Sequence, residues 1–303
     1  MRDLSMTPMA GEADRYRVLL LGAQGQVGWE LQRSQPPSVM LHALGRQDLD
    51  ICDARKVRAA VESFRPDCLI NAAAYTAVDR AESEADMAYA INRDGAAHCA
   101  LAAQACGARL MHLSTDFIFD GAQSTPYQPG AAASPLGVYG ASKAAGEQQV
   151  REILGDAALI LRTAWVYSAH GSNFVKTVLR LLAERDVLRV VGDQIGTPTW
   201  AAGIAGALWR ALDHPDFTGI QHWTDAGVAS WYDFSVAIQE EAVAAGHLQR
   251  SIPIEMIPTS GYPTPARRPA YTVLDKSTSY ATLGPAPHWR AALRQMLAEP
   301  QEA

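Results

Sequence analysis

Apolar and polar positions follow each other along the first half of the chain in blocks that switch between two periods. Arg17 to Leu21 is a short, almost unbroken apolar run, the pattern of a strand buried on both faces. It leads into Gly22-Ala-Gln-Gly25-Gln-Val-Gly28, and a helix is predicted over residues 26–33, stopped before Pro36 and Pro37. Val39 to Leu44 predicts a second strand. Asp53 suits the cap of a helix reaching Phe64, with Val57, Ala60, Val61 and Phe64 on one face. A strand at 68–70, a long helix over 87–106, a strand at 109–113, a helix over 139–154 and a strand at 159–162 continue the alternation. Strand and helix in turn predict an α/β protein, a doubly wound parallel sheet with ligands at the carboxyl edge of its strands. After Tyr167 the rhythm loosens. Amphipathic helices are predicted over 174–184, 201–212 and 234–245, with Pro-, Gly- and Thr-rich loops such as Gly192–Pro198 between them. They read as a smaller lobe covering the strand ends.

Composition narrows this little but excludes much. With 48% apolar and 19% charged residues in 303, the chain can bury a large core. A net charge of -6 speaks against nonspecific nucleic-acid binding, which needs a basic face. No apolar run approaches the roughly 20 residues of a membrane span, so no membrane partner is expected. Cys52, Cys68, Cys99 and Cys106 form neither a CxxC pair nor a zinc spacing. They read as small buried apolar side chains in a reducing compartment, the cytoplasm. The histidines form no HxxxH or HExxH cluster, so no metal is expected. Residues 1–15 are small, polar and aperiodic and read as a disordered leader.

Candidate chemistry begins at the first strand–helix turn. The spacing of Gly22, Gly25 and Gly28 allows a tight turn, close approach of backbone to a pyrophosphate, and close packing of helix on strand. The helix N-terminus behind it offers free N–H groups to phosphate, with Gln26 and Val27 in its first turn. As a bare string the motif is weak; its place after the first strand gives it weight. Gly45-Arg46 closes the second strand without the acid that usually binds a ribose 2′-hydroxyl. Arg46 fits a 2′-phosphate, so NADPH is expected as cofactor, with NADH the alternative. Asp50 and Ile51 are placed to hold and cover the adenosine, although Asp50 is equally suited to cap a helix.

Tyr139-Gly-Ala-Ser-Lys143 puts a phenol and an ammonium on one helical face. A cation about 5 Å away, at an effective dielectric of about 20, is worth roughly 3 kcal/mol to the phenolate. That brings a phenol from its ordinary pKa of about 10 toward the range of a general acid. Thr115 supplies a hydroxyl at the end of the fourth predicted strand.

These residues, with Asn71-Ala-Ala-Ala74, resemble the extended short-chain dehydrogenase/reductases and their Rossmann-type fold. Longer strings narrow the resemblance: residues 25–32, Asn71 to Asp79, Ser114 to Gly121, Arg162 to Tyr167, Asp193 to Thr199 and Tyr262 to Pro269. Together they are similar to the dTDP-4-dehydrorhamnose reductase family, over about Arg17 to Leu297. The resemblance implies reduction of the 4-keto group of dTDP-4-dehydro-L-rhamnose by NADPH, the last step of dTDP-L-rhamnose synthesis for bacterial surface polysaccharides. It implies a dinucleotide-binding domain over 16–167. A discontinuous substrate lobe over 168–303 would send segments back to that domain.

Carried over by position, Gly25, Gln26 and Val27 match the pyrophosphate turn, and Asp50 and Ile51 the adenosine contacts. Ala73, Ala74, Tyr75 and Thr76 fall in a cofactor-lining strand end. Thr115, Asp116 and Trp165 lie near the sugar, with Trp165 expected against its ring. Tyr139 and Lys143 form the catalytic pair, with Thr115 assisting and Lys143 bonding the nicotinamide ribose. Arg267 and Arg268 are candidates to clamp the diphosphate. Some family members hold Mg²⁺ at a homodimer interface through glutamates. Glu30 matches one such position, but the other falls on Ala202, which speaks against metal-dependent dimerisation here. A homodimer is compatible with the resemblance. The alternatives are a ketoreductase or epimerase acting on another nucleotide sugar, and a non-catalytic subunit resembling the regulatory subunit of methionine adenosyltransferase. Intact Thr115, Tyr139 and Lys143 argue against the last.

Overall fold

The computed structural model describes residues 15–299, so the leader expected over 1–15 lies, apart from Arg15, outside the described residues. The first half runs β1 (Tyr16–Leu21), α1 (Gln26–Arg33), β2 (Val39–Leu44), α2 (Ala54–Phe64), β3 (Cys68–Asn71), α3 (Val78–Ala81), α4 (Ala85–Tyr89), a π-helical turn (Ala90–Asp94), α5 (Gly95–Cys106), β4 (Arg109–Thr115), α6 (Val138–Leu154) and β5 (Leu159–Thr163). The second half adds β6 (Val166–Tyr167), α7 (Phe174–Glu184), β7 (Leu188–Val191), β8 (Ile195–Gly196), β9 (Thr199–Trp200) and α8 (Ala201–Leu212). It ends with β10 (Gly219–His222), β11 (Ala229–Ser230), α9 (Trp231–Ala244), β12 (Ile254–Ile257), α10 (Ser277–Leu283) and α11 (Trp289–Ala298).

Six strands make one parallel sheet in the order β10-β5-β4-β3-β1-β2. The doubly wound α/β class expected from the alternating pattern is therefore present. Register aligns Leu21 with Leu44 and Asn71, Asn71 with His112, and Thr115 with Thr163, so the carboxyl ends of five strands share one edge. The order reverses between β1 and β3, which opens a crevice at the glycine turn. Alternate side chains of each strand go to opposite faces. Leu19, Leu21, Leu69 and Leu110 pack under α2, α5 and α6. Val18, Leu20, Ile70 and Met111 pack under α1 and α8. In α8, Ala201, Ala205, Ala207 and Ala211 are fully buried, and small side chains let this helix lie close beside α1. A separate core gathers Val178, Leu182, Phe234, Ile238 and Leu293 from α7, α9 and α11.

The structure differs from the sequence reading in particulars. The long helix begins at Ala85 and contains the π turn, and α9 begins at Trp231. Cys68 and Cys99 are buried as expected, whereas Cys52 is half-buried and Cys106 exposed; all four thiols are free. No described helix is long and apolar enough to cross a membrane.

One joint between sheet and helix carries a stability prediction. Asp225, just beyond β10, is fully buried. Its Oδ2 accepts the Trp200 N–H at 3.0 Å, while its Oδ1 has no partner among the described residues. Burial pushes this carboxyl up to about 7, against the opposing pull of the Trp200 N–H and the nearby Lys276 ammonium. The folded state thus binds the proton more tightly than the unfolded chain. The stabilisation is complete below the ordinary carboxyl value of about 4 and is lost as pH rises to about 7. Asp225→Asn removes that titration, and up to about 4 kcal/mol is involved. Urea unfolding at pH 5 and pH 8 should show the variant gaining on the native protein as pH rises. A constant difference between the two pH values would contradict the assignment.

Candidate active site

The glycine turn is built by three different constraints. Gly22 has φ +89, and a Cβ there would lie 2.5 Å from Ala73 N at the end of β3. A Cβ on Gly28 would lie 2.1 Å from the Gly22 carbonyl oxygen, so α1 packs directly on the turn. Gly25 is different. Its φ is -75, and a Cβ would sit 3.4 Å from the nearest atom. Neither backbone strain nor hard packing demands glycine there. The missing side chain clears space in front of the first turn of α1, whose N-cap Gly25 supplies no side-chain cap. The N–H groups of that turn are free to receive an anion. Val27 is buried. The Gln26 side chain is turned aside, its Nε2 donating to the Val166 carbonyl at 3.5 Å.

Beyond β2, Arg46 and Asp50 are both exposed. Asp50 accepts the Cys52 N–H at 3.0 Å, and this bond, with Arg46 nearby, holds its carboxyl below the ordinary value. Asp53, not Asp50, caps α2. Ile51 is a core side chain against Gly95, where a Cβ would clash with its Cδ1 at 2.6 Å. The strand-end segment Ala73–Thr76 is pinned by side chains from two neighbours. Asn71 Oδ1 accepts the Ala73 N–H at 3.1 Å, and Asn71 Nδ2 meets His112 Nδ1 at 3.1 Å. Asn92, buried inside the π turn, accepts the Tyr75 N–H at 2.9 Å and donates to the Tyr75 carbonyl at 3.1 Å and to Ser142 Oγ at 3.0 Å. It therefore ties the segment to α6. Tyr75 donates its phenol to Glu84, and Thr76 is exposed. Asn71 stands in the sequence only as the start of the Asn71–Ala74 string, without a site role, and Asn92 is not among the expected site residues. The signal that could have found Asn92 is its spacing, four residues from Ala88 and four from Ala96 on the apolar face of the helix.

Thr115, Tyr139 and Lys143 converge. A Cβ on Gly140 would lie 2.1 Å from the Phe117 carbonyl, so α6 presses its first turn against the end of β4. The Thr115 hydroxyl lies close enough to the Tyr139 phenol to act on its acidity, and Phe117 meets the Tyr139 ring edge-on at 5.5 Å. Lys143 is 3% exposed and donates to the Leu113 carbonyl at 2.6 Å. Burial lowers this ammonium to about 8. The phenol goes the other way from the expectation: burial raises it to about 12, opposed by Thr115. Lys143, held by Leu113, does not bring it down in this geometry. Asp116 is buried beside them. Its Oδ1 accepts from Thr115 Oγ1 at 3.1 Å, its Oδ2 is unpartnered among the described residues, and burial raises it to about 6.

Trp165 follows β5 with φ +48, an uncommon conformation for a bulky residue. Trp231 lies parallel to its indole, 3.4 Å between ring centroids. A Cβ on Gly196 would come within 2.8 Å of three atoms of the same ring. Trp165 is thus packed against Trp231 and Gly196, and the ring face covered by Trp231 is not open to a ligand. The arginine pair separates. Arg268 is committed to Asp79 through two bonds of 2.8 and 2.9 Å and donates to Thr264 as well, so it is no free diphosphate clamp. Arg267 is exposed and borders a narrow cleft with Tyr139, Phe117, Glu82 and Pro269. Glu30 is fully buried, its carboxylate taken by Arg33 and the Ser168 hydroxyl. A wide groove beside the outer face of α6 holds none of the predicted site residues.

A parallel sheet with an anion-receiving glycine turn at its crevice, and a hydroxyl, phenol and ammonium at the neighbouring strand end, defines a dinucleotide-dependent oxidoreductase of the short-chain dehydrogenase/reductase class. Residues 16–302 match the family model described as RmlD substrate binding domain. The chain is 41% identical over 291 residues to dTDP-4-dehydrorhamnose reductase of Escherichia coli (strain K12), covering 93% of this chain and 97% of that protein. It is 43% identical over 289 residues to the enzyme of that name from Streptomyces griseus, covering 93% of each. A crystal structure of dTDP-4-dehydrorhamnose reductase from Bacillus anthracis in complex with NADP superposes with a TM-score of 0.88 at 35% identity, covering 94% of this chain and 100% of that one. The chain belongs to the dTDP-4-dehydrorhamnose reductase family.

Proposed function

We propose that this protein reduces the 4-keto group of dTDP-4-dehydro-L-rhamnose with NADPH, giving dTDP-L-rhamnose. Supporting this reading above all is the convergence of Thr115, Tyr139 and Lys143 beside the glycine turn. The residues present suit the dinucleotide. Gly25 leaves room at an uncapped helix end, and Lys143 Nζ uses one of its three donors on Leu113. When bound, the nicotinamide supplies hydride to the ketone carbon. Tyr139 holds a proton that is hard to lose and gives it to the developing alkoxide oxygen. Thr115 steadies the same oxygen by hydrogen bonding. The remaining donors of Lys143 suit ribose hydroxyls, and Arg46 suits a 2′-phosphate. Residues 16–167, with α8 and β10, form the cofactor side. Asp116, Trp165 and Arg267 face the nucleotide sugar from a cytoplasmic enzyme's cleft.

The test is spectrophotometric. With dTDP-4-dehydro-L-rhamnose generated in situ, NADPH should be oxidised with a catalytic efficiency about tenfold or more above NADH, the discrimination one charge-assisted contact supplies. Absence of substrate-dependent oxidation with either cofactor would refute the proposed reaction. A clear NADH preference would refute the role given to Arg46.

A further inference from the structure

The segment joining β6 to α7 lies against the glycine turn. Asn173 is the N-cap of α7, its Oδ1 accepting the Lys176 N–H at 3.1 Å. Its other amide atom has a separate task. Nδ2 donates to Gln26 Oε1 at 3.1 Å and to the Ser168 carbonyl at 2.7 Å. Gln26 is therefore gripped at both ends of its amide, by Asn173 and by the Val166 carbonyl. His170 meets the Gln24 carbonyl through Nε2 at 3.2 Å and stacks on Trp29, 5.2 Å between centroids and 3° from parallel. Ser168 donates to Glu30 at 2.9 Å and accepts the His170 N–H at 3.1 Å. Residues 166–173 thus hold Gln24, Gln26, Trp29 and Glu30, spanning the turn and the first turn of α1. The one carboxylate in this set, Glu30, is neutralised by Arg33.

On the reading that the turn receives the pyrophosphate of NADPH, we propose that Ser168–Asn173 is a strap forming part of the cofactor site. Asn173 is the positioning residue that holds the Gln26 side chain aside and so fixes the Gln26 backbone N–H toward the pyrophosphate. A turn with three glycines has much conformational freedom to lose when it closes around an anion. Tying its side chains to the second lobe before the ligand arrives removes that cost from binding. The strap touches Gln24 and Gln26 through neutral donors and acceptors and brings no unpaired negative charge to the anion.

Asn173→Ser separates the two tasks, because serine is a good N-cap but too short to reach Gln26. With the full chain, NADPH fluorescence titration should show about tenfold weaker binding. The Tm should shift by no more than a few degrees, and affinity for dTDP alone by less than twofold. His170→Phe keeps the stack on Trp29, loses the bond to Gln24, and should also weaken NADPH. Unchanged NADPH affinity in Asn173→Ser overturns the proposal. If the serine variant loses stability, His170→Phe decides: weaker NADPH binding supports the strap and unchanged binding overturns it. The titration needs no sugar substrate. Native protein that binds NADPH but oxidises none with the sugar therefore refutes the proposed reaction and leaves the strap to stand or fall by its variants.

Discussion

Tyr139→Phe lowers kcat by about a thousandfold, the middle of the range for loss of a positioned general acid. The phenyl ring retains the edge contact with Phe117 and the place of the side chain in the first turn of α6, so folding and NADPH binding persist. The hydroxyl beside Thr115 goes, and with it the proton for the alkoxide. The raised phenol is a weaker acid than a lysine-lowered one, so its proton leaves only for a strong base such as the developing alkoxide. Burial keeps the group protonated across the working pH range, and catalysis then depends on charge that develops on the substrate oxygen. Single-turnover kinetics with cofactor at saturation would isolate the chemical step. A variant within tenfold of the native rate would remove Tyr139 from the mechanism.

Glu147→Ala destabilises the protein by about 3–5 kcal/mol, the cost of leaving a buried charge without its partner. Arg162 and Glu147 are both buried, on β5 and α6. Glu147 accepts from Arg162 Nη2 at 2.7 Å and Nε at 3.0 Å, and from the Ser114 hydroxyl. Arg162 also donates to the Pro129 carbonyl at 3.0 Å. Alanine leaves that guanidinium with the Pro129 carbonyl and a 3.4 Å contact to His222 Nε2, neither of them charged, and opens a void where two oxygens sat. Replacing both residues by methionine removes both charges, and much of the loss should return. Urea unfolding of the single and double variants measures this. A single-variant loss under about 1 kcal/mol, or a double variant no better than the single, would mean that the pair does not clamp α6 to the sheet.

The sheet was legible where burial on both faces forces an apolar run. Val18–Leu21 and Leu159–Leu161 are buried outright, and no polar residue competes with the pattern. β10 was not legible. Gly219-Ile-Gln-His222 is short and half polar, because an edge strand with one neighbour is under weaker demands. α11 is absent from the predicted elements although Trp289, Ala292, Leu293, Met296 and Leu297 carry the helical spacing of its buried face. In the site, Gly22, Gly25, Gly28, Tyr139 and Lys143 could be read because each belongs to a short local spacing, three glycines at a strand–helix turn and a four-residue helical step, although Gly22 meets Ala73 and Lys143 meets Leu113. Arg268 could not. Its partner Asp79 is 189 residues distant, and an arginine in a loop says nothing of which carboxylate will meet it. Asn173 was hidden for the same reason, since Gln26 lies 147 residues before it.

The late arrival of β10 and α8 bears on how the chain leaves the ribosome. By Tyr167 the glycine turn, Thr115, Tyr139 and Lys143 have all been synthesised. Yet the face bearing Leu20, Ile70 and Met111 still lacks α8, and β5 still has a bare edge. A nascent chain of that length exposes an apolar surface and an unpaired strand together, the two features that recruit chaperones or seed aggregation. Translation must carry on past His222 before the half of the molecule that performs the chemistry can close. A ribosome stalled between those points would hold every side chain proposed for catalysis and no folded enzyme.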